Sequence, residues 1–410
     1  FDLDFAIIQR YKGEARLQRL LWIAKNTPSD ADLAATARSE CIKLAKLVKN
    51  SYITKELCNE ELDNRHERES LLAKLQTAQA HLNKDAIRNS YTDLAEFYLR
   101  TGNLSDALLS AARAKDHCTL RSQQTSNTLL ILELSVYANQ YQTVREYVPR
   151  LEHSTLEPET SADVNVVSGL ERLAAGDDSA AGAKFRAAVE SNSPLVAPED
   201  VVLYATLLTL PEDRAVALAF AEHSVLELYG NLKEILVLFH KLADYKKSMQ
   251  LLQVACERLE HDIFFQQTRD TNGTHLQQVL TSMRYKAIGN FWKPYSSCPI
   301  SIMQDKLGID NLKETIEELL QTRKVFGTDT RLDATTNTLV RDAVESNTTL
   351  EKLQTTSVCV LDDSYATLIR LACLDCDLKI SNSRLNTTIN NNQQQQEPMF
   401  VDAMNPEDLY

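Results

Sequence analysis

The sequence predicts an all-α protein in which paired helices repeat along the chain and lead into a small winged helix. Three observations support this prediction. Ala, Leu, Glu and Lys are abundant, while only ten glycines and ten prolines interrupt 410 residues, and this balance favours helix. Apolar or small residues recur at helical spacing in sets that begin 37 residues apart, at positions 107, 144 and 181, as in helical-repeat proteins. After residue 300, two short helical patterns precede two short strand-like segments.

Charge and cysteine content narrow the class of protein. The formal net charge is −13, which argues against nucleic-acid binding and suits a chain that contacts other proteins. Eight cysteines are scattered without a dense framework, so we expect reduced thiols in the cytosol or nucleus. No apolar run reaches the roughly 18–20 residues of a membrane span. The first residue is Phe1, which leaves a removed signal peptide open.

The clearest helix pair lies between Asp93 and Thr119. Gly102 separates two apolar-periodic segments, and glycine accepts the left-handed conformation that a tight turn between helices needs. Small residues follow at i, i+4 and i+7, where two helices can approach closely. The residues predicted to pack this repeat are Tyr98, Gly102, Ala107, Ala111 and Ala114.

The same spacing recurs further along the chain. Two further sets are Val144, Val148, Leu151 and then Ala181, Phe185, Ala188. A turn residue precedes each set by five positions, at Asn139 and Gly176. A later copy is predicted at Ser248, Leu252 and Ala255. The period is slightly longer than that of tetratricopeptide repeats, which it otherwise resembles, so a right-handed solenoid is expected.

Other helices flank and separate these repeats. Near the N-terminus we expect helices at Glu14–Lys25 and Ala31–Asn50 and one long, partly exposed helix over Thr54–Leu82. Between and after the repeats, apolar periodicity predicts helices at Val201–Leu210, Ile235–Leu242 and His275–Phe291.

The pattern changes after Trp292. A short helix is expected at Ile300–Leu307, and a second from the cap residue Asp310 to about Lys324. The buried side of the second helix would carry Leu312, Ile316, Leu319 and Leu320. Val325–Asp333 and Thr338–Val340 are predicted strands, which completes a helix–helix–hairpin order typical of a winged helix.

The C-terminal region is predicted to be helical and then disordered. A helical stretch opens at Leu350, a clearer helix covers Asp363–Ile380, and Asn382–Gln396 is an Asn/Gln-rich tract. The predicted domains are N-terminal helices (1–85), solenoid (86–270), the end of the winged-helix module (271–345), C-terminal helices (346–380) and a disordered tail (381–410).

No catalytic, cofactor or metal site is predicted. The chain lacks phosphate-loop, dinucleotide and nucleophile-elbow motifs. Cys373 and Cys376 form a lone C-x-x-C without the second pair that four zinc ligands would need. Glu314, Glu317 and Glu318 are read as a solvated helix face. They lie on the helix that enters DNA in other winged helices, so we expect this one to bind protein.

Two segments resemble the PCI family of scaffold subunits. The first is Tyr11-Lys12-Gly13 followed by the Arg16–Ala24 stretch, and the second runs from Ile87 to Thr119. Together they are most similar to the COP9 signalosome branch of the family. The runner-up is the paralogous lid subunit of the 26S proteasome, and an unrelated repeat adaptor or a nucleic-acid-binding winged helix stays open. One departure is Arg323-Lys324, which stands where a glycine is expected before the first wing strand.

The resemblance implies a non-catalytic scaffold, in the nucleus and cytoplasm, of a complex that removes the ubiquitin-like modifier Nedd8 from cullins. The hydrolysis would belong to a JAMM metalloprotease subunit. The implied partners are other PCI subunits (two and three as neighbours) and cullin–RING ligases, with no cofactor, nucleic acid or membrane. The expected contact residues lie at a wing edge (Val325, Phe326, Arg331, Leu332, Leu339, Val340) and on the C-terminal helix (Tyr365, Ile369, Ala372, Cys376).

Overall fold

A computed structural model describes residues 10–26, 31–60, 62–152, 156–191, 193–259, 261–267, 273–309, 311–323, 325–327, 329–333, 335–341 and 345–375. The chain divides into two compact units, Phe1–Arg341 and Asp342–Tyr410. Each unit is described by itself.

The first unit is mainly helical. Its helices before the repeats are α1 (Gly13–Asn26), α2 (Ala31–Val48), α3 (Ser51–Cys58) and α4 (Arg65–Ala80). The next six are α5 (Lys84–Thr101), α6 (Leu104–Lys115), α7 (Arg121–Tyr137), α8 (Tyr141–Glu152), α9 (Pro158–Ala175) and α10 (Asp178–Ala187). They are followed by α11 (Pro198–Thr209), α12 (Arg214–Ala221), α13 (Gly230–Val237), α14 (Tyr245–Glu257) and α15 (His275–Trp292).

The N-terminal helices differ from the prediction at one point. The stretch predicted as one helix over Thr54–Leu82 is two helices, α3 and α4. The break begins at Asn59, whose φ of 56° is left-handed and ends α3. On α1, which agrees with the helix predicted at Glu14–Lys25, Leu17 and Leu20 are fully buried and form an apolar stripe.

The predicted packing positions are buried between paired helices. Ala107, Ala111 and Ala114 on α6 are inaccessible to solvent, while Tyr98 on α5 is half-buried beside them. The equivalent set on α8 and the set that lies on α10 and ends one residue after it are also buried: Val144, Val148, Leu151, Ala181, Phe185 and Ala188. The alanine side chains on α6 are small and let neighbouring helices approach closely.

The turns between the paired helices use left-handed backbone. The φ angles are 85° at Gly102, 54° at Asn139 and 87° at Gly176. The turn before α14 adopts the same conformation at Ala243, where φ is 55°. In that later copy Ser248 and Leu252 are buried, whereas Ala255 is half-buried and its neighbour Cys256 lies deeper.

A large apolar core joins the middle helices. Tyr204 on α11 is completely buried between the rings of Phe185 and Phe265, with ring centroids 5.4 and 4.7 Å away. Burial of this much aromatic surface is strongly stabilising. Helix α13 continues into a π-helical turn over Leu238–Leu242.

The first unit ends in a small module of helices and strands. After α15 come β1 (Ser297–Pro299), α16 (Ile300–Leu307), α17 (Leu312–Thr322), β2 (Thr330–Asp333) and β3 (Thr338–Arg341). The strands form an antiparallel sheet in the order β1-β3-β2. The predicted strand over Val325–Asp333 is shorter, because among its described residues only Thr330–Asp333 pair with β3. Strand β1 was not predicted.

The described part of the second unit is one helix, α18 (Glu345–Asp375). It replaces the two predicted helical stretches that began at Leu350 and Asp363. Cys376, the rest of the predicted helix to Ile380 and the Asn/Gln-rich tract lie outside the described residues.

Candidate functional site

Strand β2 is the outer strand of the sheet on the side away from β1. It pairs with β3 in the register Arg331↔Val340 and Leu332↔Leu339, and no strand within the described ranges pairs with its other side. An edge strand of this kind can accept a strand from another chain.

The hydrogen-bond pattern shows which edge groups face outward. The Arg341 amide donates to the Ser296 carbonyl at 2.8 Å, so Arg341 directs its backbone groups towards β1. Because these directions alternate along an antiparallel strand, Val340 faces β2 and bonds with Arg331. Leu332 therefore directs its backbone N–H and carbonyl away from the sheet.

The structure divides the six predicted wing residues into core and surface. Phe326 and Leu339 are buried, with 3% and 0% of their surface exposed, so their assignment to the wing edge is corrected. The Phe326 ring packs edge-on against Trp292, and Leu339 lies on the central strand. Val340 is also central, and Val325 precedes β2. Arg331 and Leu332 are the two predicted residues that lie on the edge strand.

A polar turn fixes the end of the hairpin. One carboxylate oxygen of Asp333 accepts from the Thr335 amide at 3.0 Å, and the other accepts from the Thr336 hydroxyl at 2.8 Å. These hydrogen bonds lower the pKa of Asp333 to about 2, because they favour the charged carboxylate. The turn therefore holds β2 and β3 in register at neutral pH.

Helix α17 buries one face and exposes the other. Leu312, Ile316 and Leu319 are buried as predicted, whereas Glu314 and Glu317 are exposed. The predicted cap residue Asp310 lies outside the described residues, and Asn311 precedes the helix with a left-handed φ of 56°. The exposed acidic face suits a protein partner better than a phosphate backbone.

Helix α18 carries apolar side chains that its own unit leaves exposed. Tyr365 and Ile369 are 63% and 57% exposed, and Ala372 is also exposed. Leu361 and Leu368 lie on the same side of the helix, since positions 361, 365, 368 and 372 share one face. An apolar face of this length is a feature of helices that bind another protein.

The N-terminal segment is anchored by a buried polar cluster. Arg19 on α1 is 5% exposed, and its guanidinium lies 3.5 Å from the centroid of the Tyr11 ring. The Tyr11 hydroxyl donates to the Asp200 carboxylate and accepts from the Ala197 amide at 3.3 Å. The segment that carries the family resemblance is thus attached to α11.

The same cluster extends to the loop after α14. Asp262 accepts from the Tyr204 hydroxyl at 2.5 Å and from the Phe264 amide at 2.8 Å. Arg19 interacts electrostatically with both Asp200 and Asp262, which compensates part of the cost of burying these charges. Sequence reasoning missed the two aspartates, although Asp200 directly precedes a dense apolar run.

The described part of the chain contains no group of three or more His, Cys, Asp or Glu side chains that could hold a metal ion. None of its helices has the length and apolar character to cross a membrane. The seven cysteines described, including Cys373, are free thiols.

The fold and these surfaces define a mainly helical protein whose first unit ends in a small antiparallel sheet. Residues 56–215 match the family model described as 26S proteasome subunit RPN7. This match covers all of the paired helices from α5 to α10 and extends into α12.

The individual relatives point to the signalosome. A protein named COP9 signalosome complex subunit 1 from Arabidopsis thaliana is 25% identical over 377 residues, which is 84% of this chain and 83% of the relative. Subunit 1b from Drosophila melanogaster is 24% identical over 69% of this chain, and subunit 1 from Schizosaccharomyces pombe is 24% identical over 63%. The matches span 56% and 62% of those two relatives, less than two thirds of their length. The predicted resemblance is confirmed, since this chain is similar to proteins named COP9 signalosome complex subunit 1 from several species.

Proposed function

We propose that this chain is a non-catalytic scaffold subunit of a COP9 signalosome, the complex that removes Nedd8 from cullins and so regulates cullin–RING ligases. The observation that carries the proposal is the match to subunit 1 of Arabidopsis over 84% of this chain. Hydrolysis would take place in a JAMM metalloprotease subunit of the same complex, which would act in the nucleus and the cytoplasm.

The proposed assembly uses two surfaces. The outward backbone groups of Leu332 on β2 would pair with a strand of a neighbouring PCI subunit, with subunits two and three as the expected neighbours. The apolar face of α18 around Tyr365 and Leu368 would be buried in a bundle with helices of other subunits. Two kinds of contact would make assembly specific, since strand pairing is formed by backbone groups and by itself depends little on the identity of the side chains.

The fold supports this role in two further respects. We infer that the paired helices from α5 to α10 form a right-handed tetratricopeptide-like solenoid, because their turns and packing positions recur every 37 residues at 107, 144 and 181. The module from α16 to β3 has the element order of a winged helix, with β1 as a third strand.

A deneddylation assay tests the proposal. The purified chain alone should leave a Nedd8–cullin conjugate intact, whereas the complex isolated through the tagged chain should cleave it in a manner that a zinc chelator blocks. Cleavage by the chain alone would contradict the scaffold role. An isolated complex that contains proteasomal ATPases and lacks this activity would support the runner-up, a scaffold subunit of the proteasome lid. The match to the RPN7 family model favours this alternative.

A further inference from the structure

A cavity of about 380 Å³ lies between α1, the end of α7 and the loop after α14. Its volume falls within the range of about 300–1,000 Å³ that ligand sites in proteins occupy. Helix α1 contributes Leu21 and Trp22 to the walls, and the other segments contribute Val136, Tyr137 and Phe264. Among the described wall residues, none comes from β2 or α18, so the surfaces used in the proposed function do not account for this cavity.

The Trp22 ring is left outside the apolar core. The chain has two tryptophans. Trp292 is 3% exposed and lies in the large core, whereas Trp22 is half-buried and belongs to none of the apolar clusters that the described residues form. Tyr137 and Phe264 line the same cavity, so three aromatic side chains from separate segments surround one space. Because aromatic rings pack favourably in offset and edge-to-face contacts, a further aromatic ring suits this space.

The buried polar cluster holds the walls in place. Arg19 is itself part of the wall, and its guanidinium lies 3.5 Å from the centroid of the Tyr11 ring. Asp262 accepts from the backbone amides of Phe264 at 2.8 Å and Phe265 at 3.1 Å. These bonds fix the loop that carries the Phe264 ring. Walls that are already in position lower the entropic cost of binding a ligand.

The charges around the cavity favour an uncharged ligand. No Asp or Glu among the described residues lines it, and its two cations are Arg19 and Lys25. Lys25 pairs with Glu56 at 2.6 Å, and Arg19 interacts electrostatically with Asp200 and Asp262. Because both cations already have anionic partners, a charged group on the ligand would lose hydration without gaining a free counter-charge.

Side-chain amides supply the polar part of the lining. Asn26 at the end of α1 and Asn139 in the turn after α7 line the cavity, and both are exposed. A carboxamide offers both hydrogen-bond donors and an acceptor, which makes it complementary to a peptide group. An aromatic ring with an amide on each side therefore matches the lining, and this is the chemistry of an aromatic residue inside a polypeptide.

We propose that this cavity binds an aromatic residue of a partner protein. Its ring would pack against Trp22, Tyr137 and Phe264, and its flanking peptide groups would bond with Asn26 and Asn139. This site goes beyond the proposed scaffold role, and its lining lies within this chain alone.

Saturation-transfer difference NMR with the full chain tests the site. The probe is the uncharged peptide acetyl-Gly-Phe-Gly-amide, compared with acetyl-Gly-Leu-Gly-amide and with free phenylalanine. We expect the Phe peptide to bind about 10-fold more tightly than the Leu peptide, because the ring contacts add to apolar burial. Free phenylalanine carries two charges and should bind more weakly than the Phe peptide. Equal binding of the two peptides, tighter binding of free phenylalanine, or no binding of the Phe peptide would overturn the proposal.

Two variants separate binding from folding. Trp22→Leu keeps an apolar side chain on α1 but removes the ring, and it should weaken binding of the Phe peptide about 10-fold with little change in melting temperature. Asn139→Gly keeps the left-handed turn, where φ is 54°, and removes the carboxamide. It should weaken binding about 5-fold through the lost hydrogen bond.

Asn337→Gly is the matched control for the turn variant. Asn337 also has a left-handed φ, of 49°, and is exposed, but it lies outside the cavity. This substitution should leave binding of the Phe peptide unchanged. Binding that is unchanged in both Trp22→Leu and Asn139→Gly, or that falls equally in Asn139→Gly and Asn337→Gly, would also overturn the proposal.

Discussion

The guanidinium of Arg19 lies 3.5 Å from the centroid of the Tyr11 ring, and both residues are buried. This contact connects the start of the first unit to α11, because Tyr11 donates to Asp200. Cation–π contacts strengthen when they are removed from water, and two buried aspartates add to the attraction. The polar residues of the N-terminal family signature therefore stabilise the fold.

Arg19→Leu should destabilise the first unit by about 3 kcal/mol, because removal of one partner leaves buried carboxylates uncompensated. The free energy of unfolding from urea denaturation measures this loss. Arg16→Leu is the matched control on the same helix, since Arg16 forms a partly exposed pair with Glu40 at 3.3 Å. It should cost less than about 1 kcal/mol. Equal losses in the two variants would contradict a special role for the Arg19 cluster.

Gly102→Ala should cost about 2–3 kcal/mol. The substitution puts a side chain at a φ of 85° and brings its methyl group to 2.7 Å from two atoms of the segment that begins α3. Gly13→Ala separates the two effects, since Gly13 has a φ of 58° but no atom within 4 Å of the added methyl. We expect about 1 kcal/mol there. Thermal unfolding of both variants measures the two losses of stability. Equal shifts in melting temperature would mean that the contact with Asn50 and Tyr52 adds nothing to the cost of Gly102→Ala.

The sequence predicted local features well where spacing determines structure. The turn conformations at Gly102, Asn139 and Gly176 and the buried alanines of α6 follow from helix geometry and small side chains. The contact between Gly102 and Asn50 could not be predicted, because it joins residues 52 positions apart that share no pattern. The same holds for Asp262, whose partners are set by the tertiary fold.

The sheet of β1, β2 and β3 shows why short elements are difficult to predict from sequence. Strand β1 has three residues and ends in a proline, which is too short for a periodic signal. Without β1, Leu339 looks like an edge residue, whereas with β1 it lies in the centre of the sheet and is buried. Arg331 and Leu332 lie on the edge strand, although no pattern marked them apart from the other four predicted wing residues.

The first unit should lose stability as pH rises from about 4.5 to 7. Burial raises the pKa of Glu14 from 4.5 to about 7, so the folded state holds more protons than the unfolded state in this window. After allowance for partial exposure, the change is about 1–2 kcal/mol. Glu14→Gln should flatten this slope and raise stability at pH 7, whereas Glu69→Gln on the exposed side of α4 should not. An unchanged slope in Glu14→Gln would refute the assignment.

Leu332→Pro should prevent assembly with neighbouring subunits, because proline removes the outward N–H of the edge strand. Leu332→Ala is the control, since it loses the half-buried side chain but keeps this donor. Size-exclusion chromatography after co-expression with partner PCI subunits should show assembly for Leu332→Ala and loss for Leu332→Pro. Circular dichroism must show that both variants are folded. Assembly of a folded Leu332→Pro variant would exclude pairing at β2.

Affinity purification of the tagged full chain followed by mass spectrometry tests the scaffold role most directly. The account predicts recovery of a JAMM metalloprotease, other PCI subunits and cullins in stable amounts. Recovery of proteasomal ATPases and lid subunits without that set would contradict the assignment to a signalosome and favour the proteasome lid. Recovery of the chain without either set of subunits would contradict the scaffold role itself.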